Sequence, residues 1–452
     1  MVRKIKKIQL INPPLSTNYL TSSKAGAYPP LNLSTLSTYF KKKNRDIVID
    51  ILDGEIISIE QIIFKLDADL VGITAGILNY EEAIKIAKAA KQIGAEVIMG
   101  GPYPTAIPQL ILKNRPYIDA VVIGDGEESL YLYALNEDKR AIPNLAYREN
   151  GNIKYTNQVD TPMDSIDFAN YDVNDLFIYY NNFREKYSFK PFRGSLAVFS
   201  SKGCSWRDIS GGCIYCAVQT KRFIAKQPNI YWNEIELLSN KYDVNYFWDV
   251  TDTFTRPINR LKELVSIKPA NLAAKFLLYG RSDDINDLSA SLLSQFGAYE
   301  IFLGVESGDN KVLKNARRGQ IASKAIKAVN ILNKYKIKAI VSFQVGLPGD
   351  NDRSCEASLK LAKELAETGN VSEVFSSMLL PMPGSNAFSM LMECPGMKNK
   401  YDGLDILPLE ELRRDFIDNF CMVDYDRLAN VRDDIMKIFP LSSSLGKPKG
   451  GS

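Results

Sequence analysis

Three cysteines, Cys204, Cys213 and Cys216, share the run Ser-Lys-Gly-Cys-Ser-Trp-Arg-Asp-Ile-Ser-Gly-Gly-Cys-Ile-Tyr-Cys, which follows an apolar strand-like segment at Leu196 to Ser200. Three thiolates on one glycine-rich loop can hold three irons of a [4Fe-4S] cluster and leave the fourth iron open. An open iron can chelate the amino and carboxylate groups of S-adenosylmethionine and pass one electron to its sulfonium, which no side chain can do alone. Zinc or buried structural thiols are the alternatives. Zinc normally takes a fourth protein ligand, and with no histidine in the chain only Cys355, Cys394, Cys421 or a carboxylate could supply it.

The elements that must position this loop read as two alternating halves. From Ile8 to about Leu132, short β-rich runs at Ile8–Asn12, Val48–Asp53, Leu70–Thr74, Glu96–Gly101 and Ala120–Gly124 alternate with helical patterns, as at Ala83, Ile84, Ala87, Ala90 and Ile93. Such alternation predicts an α/β doubly wound parallel sheet, whose ligands lie beyond the carboxyl ends of the strands. Those ends carry Asn12, Pro13 and Pro14, then Thr74, then Gly100, Gly101 and Pro102, then Gly124 to Glu127. Residues 136–190, polar and rich in Asn, Tyr and Asp, read as a connector with a small hairpin near Tyr147 to Tyr155. A second alternating half follows, with runs at Leu196–Ser201, Tyr246–Val250, Lys275–Tyr279, Glu300–Val305, Lys338–Gly346 and Val374–Leu380. Six βα units predict a partial (β/α)6 barrel with chemistry at the strand C-termini, and the cysteine loop follows the first strand. The expected division is 1–135, 136–190, 191–385 and 386–452, the last a helical cap around Leu409–Phe420 and Arg427–Phe439 with a flexible tail at Gly446–Ser452.

Bulk properties exclude some functions. The 452 residues carry 56 basic and 53 acidic side chains, a formal charge of +3, which gives no reason to expect nucleic acid or a membrane as partner. No signal peptide or membrane-spanning apolar stretch is evident, and six cysteines in so long a chain do not make a disulfide scaffold, so a cytoplasmic setting is expected.

In their order along the chain, the motifs resemble radical S-adenosylmethionine enzymes with an N-terminal cobalamin-binding domain, a resemblance running from about Ile8 to Ser385. It is carried by Ile11-Asn12-Pro13-Pro14, Tyr28-Pro29-Pro30-Leu31-Asn32-Leu33, Ile51-Leu52-Asp53, Val71-Gly72-Ile73-Thr74, Met99-Gly100-Gly101 and Ile123-Gly124-Asp125-Gly126-Glu127-Glu128. In the second half it is carried by the cysteine loop, Asp249-Val250-Thr251-Asp252, Tyr279-Gly280-Arg281-Ser282-Asp283, Gly304-Val305-Glu306-Ser307-Gly308, Val345-Gly346-Leu347-Pro348-Gly349 and Leu380-Pro381-Met382-Pro383-Gly384. The resemblance implies cobalamin over the first sheet's edge, near Asn12, Pro13, Thr74, Gly100, Gly101, Gly124 and Glu127. It implies S-adenosylmethionine in the barrel mouth. There Asp249 or Asp252 would face the amino group, Arg281, Glu306 and Ser307 the ribose and carboxylate, and Gly346, Leu347 and Pro348 the adenine. Helix capping is the competing reading for Asp249 and Asp252, because Thr251 to Thr255 looks like a helix start, and a structural pairing with a nearby carboxylate is the competing reading for Arg281.

Two features depart from the family pattern. Eight residues, not three, separate Cys204 from Cys213, and the aromatic Trp206 in this longer loop resembles peptide-modifying members. Plain packing is the competing reading for Trp206. The absence of histidine removes the usual lower cobalt ligand and leaves proton transfer to groups such as Tyr215, Asp208 or Glu306. The resemblance implies a cobalamin-dependent methyltransferase. It would act on a small-molecule or peptide substrate, with a reducing donor such as flavodoxin or ferredoxin. A 5'-deoxyadenosyl radical would abstract hydrogen from the substrate, which then takes the methyl group from methylcobalamin. A radical rearrangement or cyclisation without methyl transfer, or a non-catalytic cobalamin or iron-sulfur sensor, are the alternatives.

Overall fold

The computed structural model describes residues 4–16, 26–166, 169–218, 220 and 222–438. The described residues form two compact units, one reaching to Gly194 and including Tyr401–Leu407, the other comprising Ser195–Lys400 and the residues from Pro408 onward. The tail expected at Gly446–Ser452 and the last residue of the helix expected at Arg427–Phe439 lie outside the described residues. Among the described residues no helix is long and apolar enough to cross a membrane.

In the first unit, β1 (Lys7–Asn12), β2 (Val48–Asp53), β3 (Leu70–Thr74), β4 (Glu96–Gly100) and β5 (Ala120–Val122) pair in parallel in the order β2-β1-β3-β4-β5. Alternate residues feed two cores. Ile11, Val71, Ile73, Val97 and Met99 pack on one face with Ala83, Ile86, Ala87 and Ala90 of the helix Tyr80–Gln92. Ile8, Leu10, Leu70 and Ile98 pack on the other with Phe40 and Leu130. Each such Ile or Leu contributes roughly 1.5–3 kcal/mol through burial, so this two-sided apolar pattern fixes the doubly wound arrangement. Ile93, expected on the apolar face, is instead the helix C-cap and is 48 % exposed.

The strand order reverses between β1 and β3, the place at whose carboxyl edge doubly wound sheets bind their ligands. Beyond β5 the sheet continues differently from the sequence expectation. The hairpin of β6 (Leu145–Glu149) and β7 (Asn152–Tyr155) pairs antiparallel with β5, with Val121 opposite Ala146. Residues 136–190, expected as a connector with a small hairpin, belong to the first unit. The helix Leu176–Lys186 is tied back by the Tyr179 hydroxyl, which donates to Asp53 Oδ2 at 2.6 Å.

The second unit holds six parallel strands in chain order: β8 (Leu196–Val198), β9 (Tyr246–Asp249), β10 (Lys275–Gly280), β11 (Ala298–Glu306), β12 (Lys338–Val345) and β13 (Val371–Met378). Flanking helices include Pro228–Tyr242, Asp287–Phe296, Lys324–Lys334 and Asp352–Glu367, which gives the expected partial barrel. Asn286 and Asn351 start the second and fourth of these helices with reciprocal capping bonds to Ser289 and Ser354. The helices Leu409–Phe420 and Tyr425–Ile438 follow.

Candidate functional site

The cysteine loop leaves the end of β8. Its first residues, Ser201–Lys202, pair antiparallel with Ile224–Ala225. The extra residues between the first two cysteines are not an open loop. They form a short helix, Ser205–Ser210, whose N-cap is Cys204. Gly211 at φ 77° and Gly212 at φ 89° end this helix in the left-handed region and turn the chain toward Cys213. Trp206 anchors the insertion by packing. Its indole N–H donates to the Arg317 carbonyl at 3.2 Å, the Arg281 guanidinium lies 4.3 Å over its ring, and a Cβ on Gly319 would come within 2.3 Å of it.

The segment after β9 holds this loop down. No helix starts at Thr251; the next one begins at Ile258. Thr251, Thr253 and Thr255 instead bury alternate hydroxyls in an irregular run. Thr251 Oγ1 accepts from the backbone N–H groups of Ser200 and Ser201 at 3.2 and 3.1 Å. Thr253 Oγ1 lies 3.2 Å from Cys204 Sγ, and Thr255 Oγ1 donates to Asp284 at 3.1 Å. Asp249 is fully buried and accepts from the Tyr231 hydroxyl at 2.9 Å, the Thr251 N–H at 3.1 Å and the Ser200 N–H at 3.3 Å. Burial raises its carboxyl above the ordinary value against these bonds. Asp249 thus ties β9 to the start of the cysteine loop, while Asp252 is exposed. Neither caps a helix.

Arg281 is almost wholly buried. It forks onto Asp283 and donates to the Arg318 carbonyl at 2.6 Å, yet its Nη1 has no hydrogen-bond partner. An unpaired buried guanidinium nitrogen is an expensive feature that a bound anion or hydroxyl would satisfy. Glu306 ends β11 at φ 68°, in the left-handed region unusual for a side chain of its size, beside a register shift against β12. Its carboxylate faces Arg318 at 3.5 Å, and Arg318 Nη1 reaches Cys213 Sγ at 3.7 Å. The Tyr215 hydroxyl is buried in the same cluster, and burial followed by the Glu306 charge pushes it well above the ordinary phenol value.

Other expected residues are occupied structurally. Ser307 Oγ accepts from the Asp309 N–H at 3.1 Å. The N–H groups of Gly346 and Leu347 both donate to the buried Asp350, at 2.8 and 3.0 Å, and the Pro348 carbonyl accepts from Asn315. Asp208 accepts from the Phe223 N–H at 3.0 Å.

Cys204, Cys213 and Cys216 are free thiols, as are Cys355, Cys394 and Cys421. The last three are used elsewhere. Cys355 is buried on its helix, Cys394 Sγ donates to Met390 O, and Cys421 Sγ donates to Leu347 O. Among the described residues no group of three or more Cys, Asp or Glu side chains is gathered closely enough to hold a metal ion as it stands. The donor chemistry nonetheless suits an iron-sulfur cluster: three thiols on one loop, a hydroxyl beside Cys204 and a guanidinium beside Cys213.

At the first sheet's edge, Asn12 ends β1 and donates to Asp53 at 2.8 Å, and the Pro13 carbonyl accepts from Asn79 at 3.1 Å. Thr74 Oγ1 accepts from Asn32 at 3.1 Å. Gly100 ends β4, and Gly101, at φ 100°, lies so close to Ala75 that a Cβ would stand 2.8 Å from its backbone. Gly124, exposed at φ 79°, has open space where a Cβ would be, and Glu127 is buried at the start of the helix Glu127–Ala134. The open space at Gly124 lies at the carboxyl end of the sheet, the side on which doubly wound sheets bind their ligands, whereas Gly101 is required by packing against Ala75.

Residues 19–133 match the B12 binding domain family, and residues 198–362 match the Radical SAM superfamily. An uncharacterized methyltransferase of Pyrococcus horikoshii is 28 % identical over 398 residues, 84 % of this chain and 82 % of the relative. The anaerobic magnesium-protoporphyrin IX monomethyl ester cyclase of Rubrivivax gelatinosus is 23 % identical over 81 % of this chain and 67 % of its own length. Among solved structures, the radical S-adenosylmethionine methyltransferase TsrM from Kitasatospora setae superposes with a TM-score of 0.65 at 17 % identity, covering 86 % of this chain and 76 % of the other. The cobalamin-dependent S-adenosylmethionine radical enzyme OxsB gives 0.64 at 16 % identity, covering 92 % and 56 %. These two likenesses establish the fold.

Proposed function

The chain is a radical S-adenosylmethionine protein with an N-terminal B12-binding domain, and we propose that it is a methyltransferase using both cofactors. The observation that carries this reading is the three free thiols of Cys204, Cys213 and Cys216 on the loop after the first barrel strand, in a chain that also carries the open 2-1-3-4-5 sheet. When bound, the cluster supplies one electron to the sulfonium of S-adenosylmethionine, and the corrinoid supplies the methyl group.

The three cysteines would hold the cluster, with the Thr253 hydroxyl beside Cys204 and Arg318 donating toward Cys213. Arg281 offers its unpaired Nη1 to the carboxylate or ribose of S-adenosylmethionine, its plane fixed by Trp206 and Asp283. Glu306, held in a strained backbone and paired with Arg318, is the second candidate contact. Thr74, Gly100, Gly101 and Gly124 would receive the corrinoid, and a small reducing protein such as a flavodoxin or ferredoxin would supply the electron.

Feeding methyl-deuterated S-adenosylmethionine to the anaerobically reconstituted protein tests this. A trideuteromethyl group on cobalamin, and then on a product, supports methyl transfer. The similarity to the cyclase favours one second reading, a radical cyclisation or rearrangement. A product of unchanged mass, or two hydrogens lighter, with no label on cobalamin would select it.

A further inference from the structure

The segment Tyr401–Leu407 belongs to the first unit, although the residues before and after it belong to the second. Its neck is closed by the Lys400 ammonium, which pairs with Glu411 and Asp415 of the following helix at 2.7 and 2.6 Å. The segment is therefore a compact closed loop and not a slack connection. The cofactor reading gives it no role.

Asp405, 4 % exposed, is the residue by which the loop is held. Arg115 forks onto its carboxylate, with Nε at 2.7 Å from Oδ2 and Nη2 at 3.1 Å from Oδ1. The Tyr80 hydroxyl donates to Oδ2 at 2.9 Å and the Asn114 amide to Oδ1 at 3.1 Å. Two donors also take the loop's backbone: the Tyr103 hydroxyl donates to the Asp405 carbonyl at 2.9 Å, and the Asn114 amide to the Gly403 carbonyl at 2.8 Å. Tyr80 and Tyr103 are themselves buried, and their rings meet edge to face with centroids 4.9 Å apart. A buried charge satisfied from so many sides is a fixed point for whatever is bonded to it.

What the two tyrosines hold is the carboxyl end of the first sheet. Tyr103 stands two residues past Gly101 in the short helix Pro102–Ala106, and its backbone N–H donates to the Ala75 carbonyl at 3.2 Å. The Ala75 N–H in turn donates to the Gly100 carbonyl at 2.9 Å, and Gly101 packs closely on Ala75. Tyr80 opens the helix Tyr80–Gln92 beside Asn79, whose side chain accepts from the Gly76 N–H at 2.7 Å and donates to the Pro13 carbonyl at 3.1 Å. The turns after β1, β3 and β4 thus share one anchor, an acid that lies 302 residues beyond Tyr103 in the chain.

We propose that Asp405 is a positioning residue of the corrinoid site: through Tyr80 and Tyr103 it fixes the turns at Pro13, Ala75–Gly76 and Gly100–Gly101 in the arrangement that receives the ligand. This rests on the reading that cobalamin lies at this edge of the sheet. A brace that orders these turns before the ligand arrives removes an entropy loss from the binding step.

The test titrates hydroxocobalamin into the full-length protein, followed by visible absorbance, at a temperature where circular dichroism shows every variant folded. Binding of S-adenosylmethionine to the cluster-loaded protein is measured alongside. Asp405→Ala is expected to weaken hydroxocobalamin about tenfold, the weight of one or two hydrogen bonds, and to change S-adenosylmethionine affinity by less than about twofold. Asp405→Asn, which keeps an acceptor for Tyr80, should lose less, and Tyr103→Phe, which removes a single hydroxyl, about threefold. The inference is overturned if the variants bind hydroxocobalamin as the unaltered protein does while melting at a lower temperature, which makes the loop a brace of the fold alone, or if both ligands weaken alike. An unaltered protein that binds no hydroxocobalamin removes the corrinoid reading itself, whereas normal binding unmoved by the variants removes only the role of Asp405.

Discussion

Replacing Asp249 separates a scaffold role from a ligand role at the centre of the site. Its carboxylate is fully buried and accepts from the Tyr231 hydroxyl and the backbone N–H groups of Thr251 and Ser200. The Ser200 N–H has a second acceptor in Thr251 Oγ1, so Asp249→Ala strands mainly the Tyr231 hydroxyl and the Thr251 N–H. Two buried donors left unpaired, at roughly 1–3 kcal/mol each, give a loss of about 2–6 kcal/mol. For a unit of this size, roughly 2–4 °C per kcal/mol, the melting temperature should fall by about 5–20 °C. Asp249→Asn keeps an acceptor and should lose less than half of that. Thermal melts followed by circular dichroism, paired with S-adenosylmethionine binding at low temperature where both variants are folded, read the two effects. The expected outcome is a lower melting temperature with the Asn variant's affinity within about threefold of the unaltered protein. An Asn variant with an unchanged melting temperature and a tenfold weaker affinity would refute the scaffold assignment and make Asp249 a direct ligand.

Three further outcomes follow from single groups. Burial raises the Asp350 carboxyl from 3.8 to about 6. The folded state therefore holds its proton more tightly than the unfolded chain, and the stability Asp350 contributes is lost as pH rises from about 4 to 6. At ~1.4 kcal/mol per pH unit this window amounts to about 3 kcal/mol, so denaturant titrations across it should show unaltered protein losing that much relative to Asp350→Asn; parallel curves would contradict it. Arg318→Gln removes the guanidinium charge beside Cys213 Sγ and should lower the cluster's reduction potential while leaving the iron content unchanged, as read by a redox titration monitored by EPR. Because the chain has no histidine, labelling the protein with nitrogen-15 should leave the EPR superhyperfine pattern of bound cob(II)alamin unaltered; a changed pattern would reveal a protein nitrogen on cobalt.

Both sheets were legible because their strands are short Ile-, Val- and Leu-rich runs with helical periodicity between them, and parallel pairing follows from that alternation. The hairpin's membership of the first sheet was not, since edge pairing with Ala120–Val122 depends on where the hairpin lies in space. The cysteines declared themselves by spacing. Thr251, Thr253 and Thr255 did not, because an Asp-Val-Thr-Asp-Thr run also reads as a helix start, and only the partners of the buried hydroxyls show otherwise. Arg318, which touches both Glu306 and Cys213, carried no signal except its basic character beside Gly319. Strain at Glu306 is likewise invisible without the backbone.

The central claim, that this chain performs radical chemistry through its cysteine loop, is met most directly by anaerobic reconstitution with iron, sulfide and hydroxocobalamin, then mass spectrometry of the products of S-adenosylmethionine under a strong reductant. The account predicts 5'-deoxyadenosine and a cobalt-bound methyl group, with the deoxyadenosine lost in Cys213→Ala. An intact cluster with no cleavage in the unaltered protein would contradict it.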